Sequence, residues 1–471
     1  MYHFNLKPKK VPLVKTKFRV IKTKIPSSET MYTIKRGEKL GVGLRPNQLP
    51  VSWHKAVDFN VFDEAGNKWI DFTSTIFVAN SGHSNKKIKQ AIKDQADSDL
   101  LHAYNYPTEI KNKFVEKLLS LTPDFCQKVL LASSGTESTE CVIPLMRAHG
   151  QLKNKNKIGI LSFRGSYHGA TMGARMLRGN SEALKVVGFS DPNIYHLPFP
   201  FNWDNRPTKS GESRPKRAEK INWAEQFKKD ISDLIGGGMK KENLCGIMLE
   251  AYQGWGALFY PQTYINELIK FAQNNNLLIT VDEIQSGFGR TGKLFAFEHY
   301  GLKPDLICLG KGLSSSLPLS AVIGRGKIID LAEKADVGHS THSGNALVCA
   351  AGLANLEEIE SRKLVGESAR KGKILFEQLN YIKKNYPQHI AHINGHGLVA
   401  ALLFKNHKTG KPESEFPSRV CELAMQKGLL MVHTGRESIK IAPPLTIPDA
   451  ALKEGIKVIE EAIGEVDKIS K

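Results

Sequence analysis

The sequence predicts an α/β architecture, with one large, mostly parallel sheet covered by helices and a smaller α+β unit built from both chain ends. Two observations carry this. From residue 110 onward, short and almost wholly apolar runs alternate with segments of helical length, the pattern of strands buried on both faces. After about residue 345 the pattern changes to two long helices followed by strands, while residues 57–72 (VDFNVFDEAGNKWIDF) alternate apolar and polar side chains like a hairpin.

In chain order, the hairpin turns at Ala65-Gly66-Asn67. Residues 128–133 (KVLLAS) are a strand, and 136–150 have helical length. Further strands fall at 157–162 (KIGILS) and 246–250 (GIMLE). The amphipathic segment 264–274 feeds the strand 277–282, and 305–310 follows. Residues 346–362 and 366–384 read as helices, 397–404 and 438–441 as strands. This gives an N-terminal arm and hairpin (1–72) joining the small domain, a large domain (73–345) and a C-terminal small domain (346–471).

The composition is that of a folded chain: 471 residues, 41% apolar and 24% charged, which excludes wholesale disorder. Apolar runs fall far short of the ~20 residues of a membrane helix, and no secretory apolar stretch follows the basic N-terminus. The six cysteines (126, 141, 245, 308, 349, 421) are scattered, with no C-x-x-C pair and no zinc-like cluster. They read as buried free thiols of a cytoplasmic protein. The net charge of +19 is partly local. Residues 1–28 hold eight Lys/Arg and no acid, and 206–220 hold six against two acids. Lysine dominates the first stretch, where transit peptides favour Arg and Ser, and aromatics interleave with neither. Solvated basic arms are the expectation, not a nucleic-acid or membrane partner.

Three motifs bear on chemistry. Between a strand and a helix stands Ser133-Ser134-Gly135-Thr136-Glu137, where Ser134 and Glu137 fit a capping box. Capping alone would explain it. So would a phosphate seat, because Gly135 lets an anion approach free helix N–H groups at a strand's carboxyl end. Residues 287–294 (GFGRTGKL) match G-x-G-x-x-G formally and miss the Walker pattern only at Leu294. Four residues separate them from the strand and no helix follows, so neither nucleotide reading holds. Third, Asp282 and Lys311 each end an apolar strand, 29 residues apart. An ion pair is one reading. The other is pyridoxal phosphate, which needs a lysine for its Schiff base and an acid for its ring nitrogen.

Residues 281–292 (VDEIQSGFGRTG), then Pro304-Asp305 and Leu309-Gly310-Lys311-Gly312, resemble the class III pyridoxal-phosphate aminotransferases. The stretches Ser134-Gly135-Thr136-Glu137, Tyr167-His168-Gly169, Glu250 with Gln253-Gly254, Ser340-Thr341 with Gly344-Asn345, and Ala442-Pro443-Pro444-Leu445 match in order. The resemblance spans about residues 40–460. It implies the fold-type-I architecture and a homodimer with shared active sites. It also implies transfer of an amino group from an amine or amino acid donor to a keto acid or aldehyde acceptor, through a Lys311 Schiff base and a pyridoxamine phosphate intermediate. An aminomutase, racemase or epimerase of the same family would use the same Lys311 and Asp282. The resemblance further implies that Asp282 pairs with the pyridinium nitrogen and Gln285 approaches the phenolic oxygen. Tyr167 would stack on the ring beside His168, with Glu250 near the site. Ser134, Gly135 and Thr136 would hold the phosphate, and Thr341 would reach it from the partner subunit. Without the resemblance, Tyr167 and His168 read as core residues, Gln285 as a loop-fixing amide and Glu250 as a brace.

The chain departs from the family at the substrate end. The 4-aminobutyrate and ornithine enzymes place an arginine before Pro-Pro-Leu, and its glutamate partner in Gln-Gly-Glu-Gly. Here Lys440 and Trp255 stand in those places, and Ala170 follows Tyr167-His168-Gly169 where some relatives carry arginine. Lysine lacks arginine's bidentate fork, and tryptophan offers an apolar wall. Lys440 and Trp255 are therefore the expected substrate-binding pair.

Overall fold

A computed structural model describes residues 2–45, 48–180, 184–185, 187–203 and 221–470. The basic stretch 206–220 lies outside them. Two sheets organise the described chain. The first has seven strands, in the spatial order Lys128–Ala132, Ser320–Gly324, Leu306–Leu309, Leu278–Asp282, Leu244–Glu250, Gly159–Phe163 and Ile194–Leu197. Ser320–Gly324 runs antiparallel to both neighbours, and every other pairing is parallel.

Successive side chains of a strand point to opposite faces, so a sheet buried on both faces needs apolar residues throughout. This sheet has them. Ile247, Leu249, Ile279, Val281, Ile307 and Leu309 join one core cluster, while Met248, Leu278, Leu306, Cys308 and Val322 join another. The helix Gly135–Gln151 packs over the second face. Hydrogen-bonded register then sets the rim: Asp282 lies opposite Glu250 on one side and Cys308 on the other. Acids and the lysine that follow these runs gather at one edge by the sheet's own geometry.

The second sheet draws on both chain ends. Its path runs Val14–Lys15, Val20–Ile21, Lys68–Phe72, Leu429–His433, Ser438–Ile441, Val399–Phe404 and Ile390–His396, and the hairpin strand Asn60–Phe62 pairs with Lys68–Phe72. Lys68–Phe72 lies parallel to Leu429–His433, which fastens the N-terminal hairpin to the C-terminal strands.

The glycine-rich segment 287–294 proves to be a tie between the sheets. Its Arg290 is fully buried and donates from Nη1 to the carbonyls of Leu398 (3.0 Å) and Pro443 (2.6 Å), and from Nη2 to Asn80 Oδ1 (2.7 Å). All of these acceptors are neutral, and burial lowers its pKa to about 10.

Candidate active site

A cavity of about 250 Å³ opens at the carboxyl-end rim of the first sheet. The turn into the helix Gly135–Gln151 supplies one wall. Glu137 closes back on the helix start, its Oε2 accepting from the N–H groups of Ser133 (2.7 Å) and Ser134 (2.8 Å). Gly135 and Thr136 line the cavity, presenting the part of a helix whose first N–H groups have no intrahelical acceptor. A Cβ on Gly135 would stand 3.0 Å from Ile284. Gly169, at φ 137°, abuts the same turn, and a Cβ there would fall 2.1 Å from Thr136 Oγ1. Only glycine fits.

The acids and the lysine come from three adjacent strands. Asp282 ends Leu278–Asp282 with both oxygens engaged: Oδ1 accepts from Ile284 N at 3.0 Å, and Oδ2 pairs with His168 Nδ1 at 2.9 Å. That pair is buried, so it holds one orientation. Lys311 stands two residues past Leu306–Leu309 at φ 42°, a left-handed conformation that costs a non-glycine residue of order 1–3 kcal/mol. Burial lowers its pKa, and the carboxylates of Asp282 and Glu250 oppose the shift. Glu250 accepts from Tyr167 N (3.2 Å, Oε2) and Gly254 N (3.1 Å, Oε1). Its pKa is raised to about 7, first by burial; nearby His168 opposes that rise and Asp282 adds to it.

Of the residues expected from sequence, the cavity wall brings together Gly135, Thr136, Tyr167, His168, Glu250, Asp282, Gln285 and Lys311. Four others stand off it. Ser134 is exposed, and its carbonyl accepts from Ser320 Oγ at 2.7 Å. Thr341 is exposed, its carbonyl 2.6 Å from His102 Nε2. Trp255 and Lys440 each pack on another partner. The Arg436 guanidinium lies 3.8 Å from the centre of a Trp255 ring, whereas Lys440 Nζ lies 4.6 Å from the centre of Phe77. Lys440 is buried, and its pKa falls to about 7, first through burial and then through Lys311, against an opposing pull from Glu250.

Sequence reasoning missed Tyr252. It lines the cavity two residues beyond Glu250, and its hydroxyl is buried without a hydrogen-bond partner among the described residues. No local signal marked it, because the strand Leu244–Glu250 ends before it and its alternation does not carry on. The Gln285 Oε1 atom is likewise buried and unpartnered.

The model of the family "Aminotransferase class-III" matches residues 44–463. A leucine/methionine racemase of Thermococcus litoralis is 30% identical, the match covering 90% of this chain and 93% of that protein. A probable 4-aminobutyrate aminotransferase of Bacillus subtilis is 31% identical, covering 86% and 90%. Among solved structures, a transaminase from the marine bacterium Virgibacillus superposes with a TM-score of 0.81 at 24% identity, covering 93% of this chain and 100% of that one.

Proposed function

The chain belongs to the class-III aminotransferases, and from that membership we propose that its rim cavity binds pyridoxal 5'-phosphate and moves an amino group between a small amine or amino acid donor and a keto acid or aldehyde acceptor. The observation that carries the reading is that Lys311, Asp282 and the Gly135–Thr136 helix start share one cavity. The residues fit the cofactor: Gln285 Oε1 is buried and awaits a partner, and Gly169 lets the chain pack directly on Thr136 at the helix start, where a Cβ would collide. When bound, the cofactor supplies an aldehyde that condenses with amines and a ring that takes up the electrons of the bond being broken.

The chain's own groups do the rest. Lys311, its pKa lowered by burial, holds more of its neutral form, which is the form that attacks and that accepts a proton. Its Nζ would move that proton along the substrate side of the site. Asp282, fixed by His168 and Ile284 N, would keep a proton on the ring nitrogen. Gln285 would contact the ring oxygen and Tyr167 the ring face, while Glu250 braces the backbones of Tyr167 and Gly254. Gly135 and Thr136 would hold the phosphate, with Ser134 behind them. Lys440 would offer one positive charge to an anionic substrate group, and Trp255 a wall beside it. A homodimer is the assembly we propose, with Thr341 serving the cavity of a second copy. The exposed Leu101, Tyr104 and Tyr106 support it. Six free cysteines support a cytoplasmic setting.

The test is the visible absorbance of the purified protein with pyridoxal phosphate. An amine donor without acceptor should bleach it, and a keto acid should restore it. Absence of any visible band rejects the reading. The similarity to a racemase of Thermococcus litoralis favours one second reading, inversion at an amino acid carbon. Loss of optical rotation with no bleaching would select it.

A further inference from the structure

Arg178 belongs to none of the sequence motifs that build the site, and it contributes nothing to the cavity wall. Its guanidinium carbon nevertheless sits 4.2 Å from the centre of the Tyr167 ring, close enough for strong cation–π attraction. Tyr167 does line the cavity and is 57% exposed. The Arg178 contact thus leaves much of the Tyr167 ring open.

The surrounding backbone is built to hold this arrangement. Gly165 N donates to the Arg178 carbonyl at 2.9 Å, tying the turn before Tyr167 to the turn carrying Arg178. Gly179, at φ 60°, lets the two turns touch, since a Cβ there would stand 2.9 Å from Arg164 Cα. Tyr167's own N–H is fixed by Glu250. The Arg178 Nε is buried and has no hydrogen-bond partner among the described residues, and the side chain's interactions centre on Tyr167, through the ring contact and the Tyr167 hydroxyl, with Glu250 adding a weaker attraction. Arginine suits this role because its planar face stacks, which a lysine ammonium cannot do.

We propose that Arg178 is a positioning residue that backs the Tyr167 ring, holding its free face flat for the cofactor ring. This rests on the cavity being the pyridoxal site. The probe is pyridoxamine phosphate, which binds without a covalent link to Lys311, so that stacking shows directly in its dissociation constant.

The full chain is titrated as wild type, Arg178→Met, Arg178→Lys, Tyr167→Ala and Tyr167→Ala with Arg178→Met, together with near-ultraviolet circular dichroism of the bound pyridoxamine phosphate. Arg178→Met should weaken binding about three- to tenfold, the range of one half-buried cation–π contact, and diminish the dichroic band. Arg178→Lys should lose part of this. On the Tyr167→Ala background, Arg178→Met should change little further. An unchanged constant in Arg178→Met, or an equal loss on both backgrounds, overturns the proposal. If Arg178→Met does not fold, Arg178→Lys on the two backgrounds decides in the same way. A wild type that binds no pyridoxamine phosphate overturns the site reading itself; a wild type that binds while Arg178→Met matches it overturns Arg178 alone.

Discussion

Two lysines approach the site from different sheets, and their surroundings differ. Lys311 follows a parallel strand at a rim that also carries Asp282 and Glu250, so burial that disfavours its charge is offset by two carboxylates. Lys440 lies inside the strand Ser438–Ile441 of the second sheet, flanked in register by Val432 and Ala401, with the face of Phe77 against its ammonium. Its charge is opposed by burial and by Lys311, and its pKa falls to about 7. The first sheet thus surrounds its lysine with opposing charge at the proposed cofactor end, while the second buries its lysine beside a like charge at the proposed substrate end. In the proposed function, chemistry belongs to the first lysine and selectivity to the second.

That division breaks most visibly at Lys311. Lys311→Ala should leave a folded protein that retains the cofactor weakly and turns over at least about a thousandfold more slowly, because nucleophile and base are lost together. Turnover near wild type with its best amine donor would remove Lys311 from the chemistry. Asp282→Asn should act next most strongly. The amide keeps an oxygen for Ile284 N but cannot stabilise a positive ring nitrogen, so the amine half-reaction should slow by about a hundredfold or more. Rapid-mixing absorbance measures it, and a change of only a few-fold would refute the role.

The cofactor end was legible in the sequence for a physical reason. Asp282, Lys311 and the Gly135 turn each follow an apolar run, and a parallel sheet puts everything that follows such runs on one rim. The strand Ile390–His396 was not legible because it is polar and only partly buried (IAHINGH), and Ser320–Gly324 because nothing local announces an antiparallel insertion. The environment of Lys440 was hidden too. Its aromatic neighbour, Phe77, ends a turn in which Ser74, Thr75, Ile76 and Phe77 all have positive φ, a conformation no residue type there advertises. Arg178 and Tyr252 act through contacts made by folded loops, which spacing does not encode.

Lys440→Met sharpens the substrate side of the comparison. With a folded pKa of about 7 against an ordinary 10.5, the unfolded chain binds a proton between those values that the native chain does not. Stability therefore rises with pH across that window, and the cost of the buried charge is full below 7. Removing the amine should stabilise the protein by on the order of 1–2 kcal/mol at pH 6 and by less at pH 10, read by chemical denaturation. It should also lower the specificity constant for an acidic substrate about ten- to hundredfold, the worth of a charged hydrogen bond, and that for a neutral one much less. Equal losses would show that Lys440 reads no anion.

The smallest effect is expected at Glu250, proposed as a brace for the Tyr167 and Gly254 backbones and not as a reacting group. Its carboxyl titrates near 7 in the folded chain, against an ordinary 4.5, chiefly because it is buried. Between those values the native chain keeps a proton that the unfolded chain releases, so stability falls as pH rises through the window and the cost is complete above 7. Both oxygens accept backbone N–H groups, from Tyr167 and Gly254. A protonated carboxyl can still accept both; the amide of Glu250→Gln accepts only one. At pH 5 the variant should therefore be less stable than wild type by about 1 kcal/mol, the worth of one hydrogen bond. At pH 8 the lost bond is offset by removal of the buried charge, and the two proteins should unfold at similar denaturant concentrations. Turnover should change by no more than a few-fold, because the bond to Tyr167 N positions the ring without entering the chemistry. Denaturation curves that keep the same separation at both pH values would show that Glu250 does not titrate in this window.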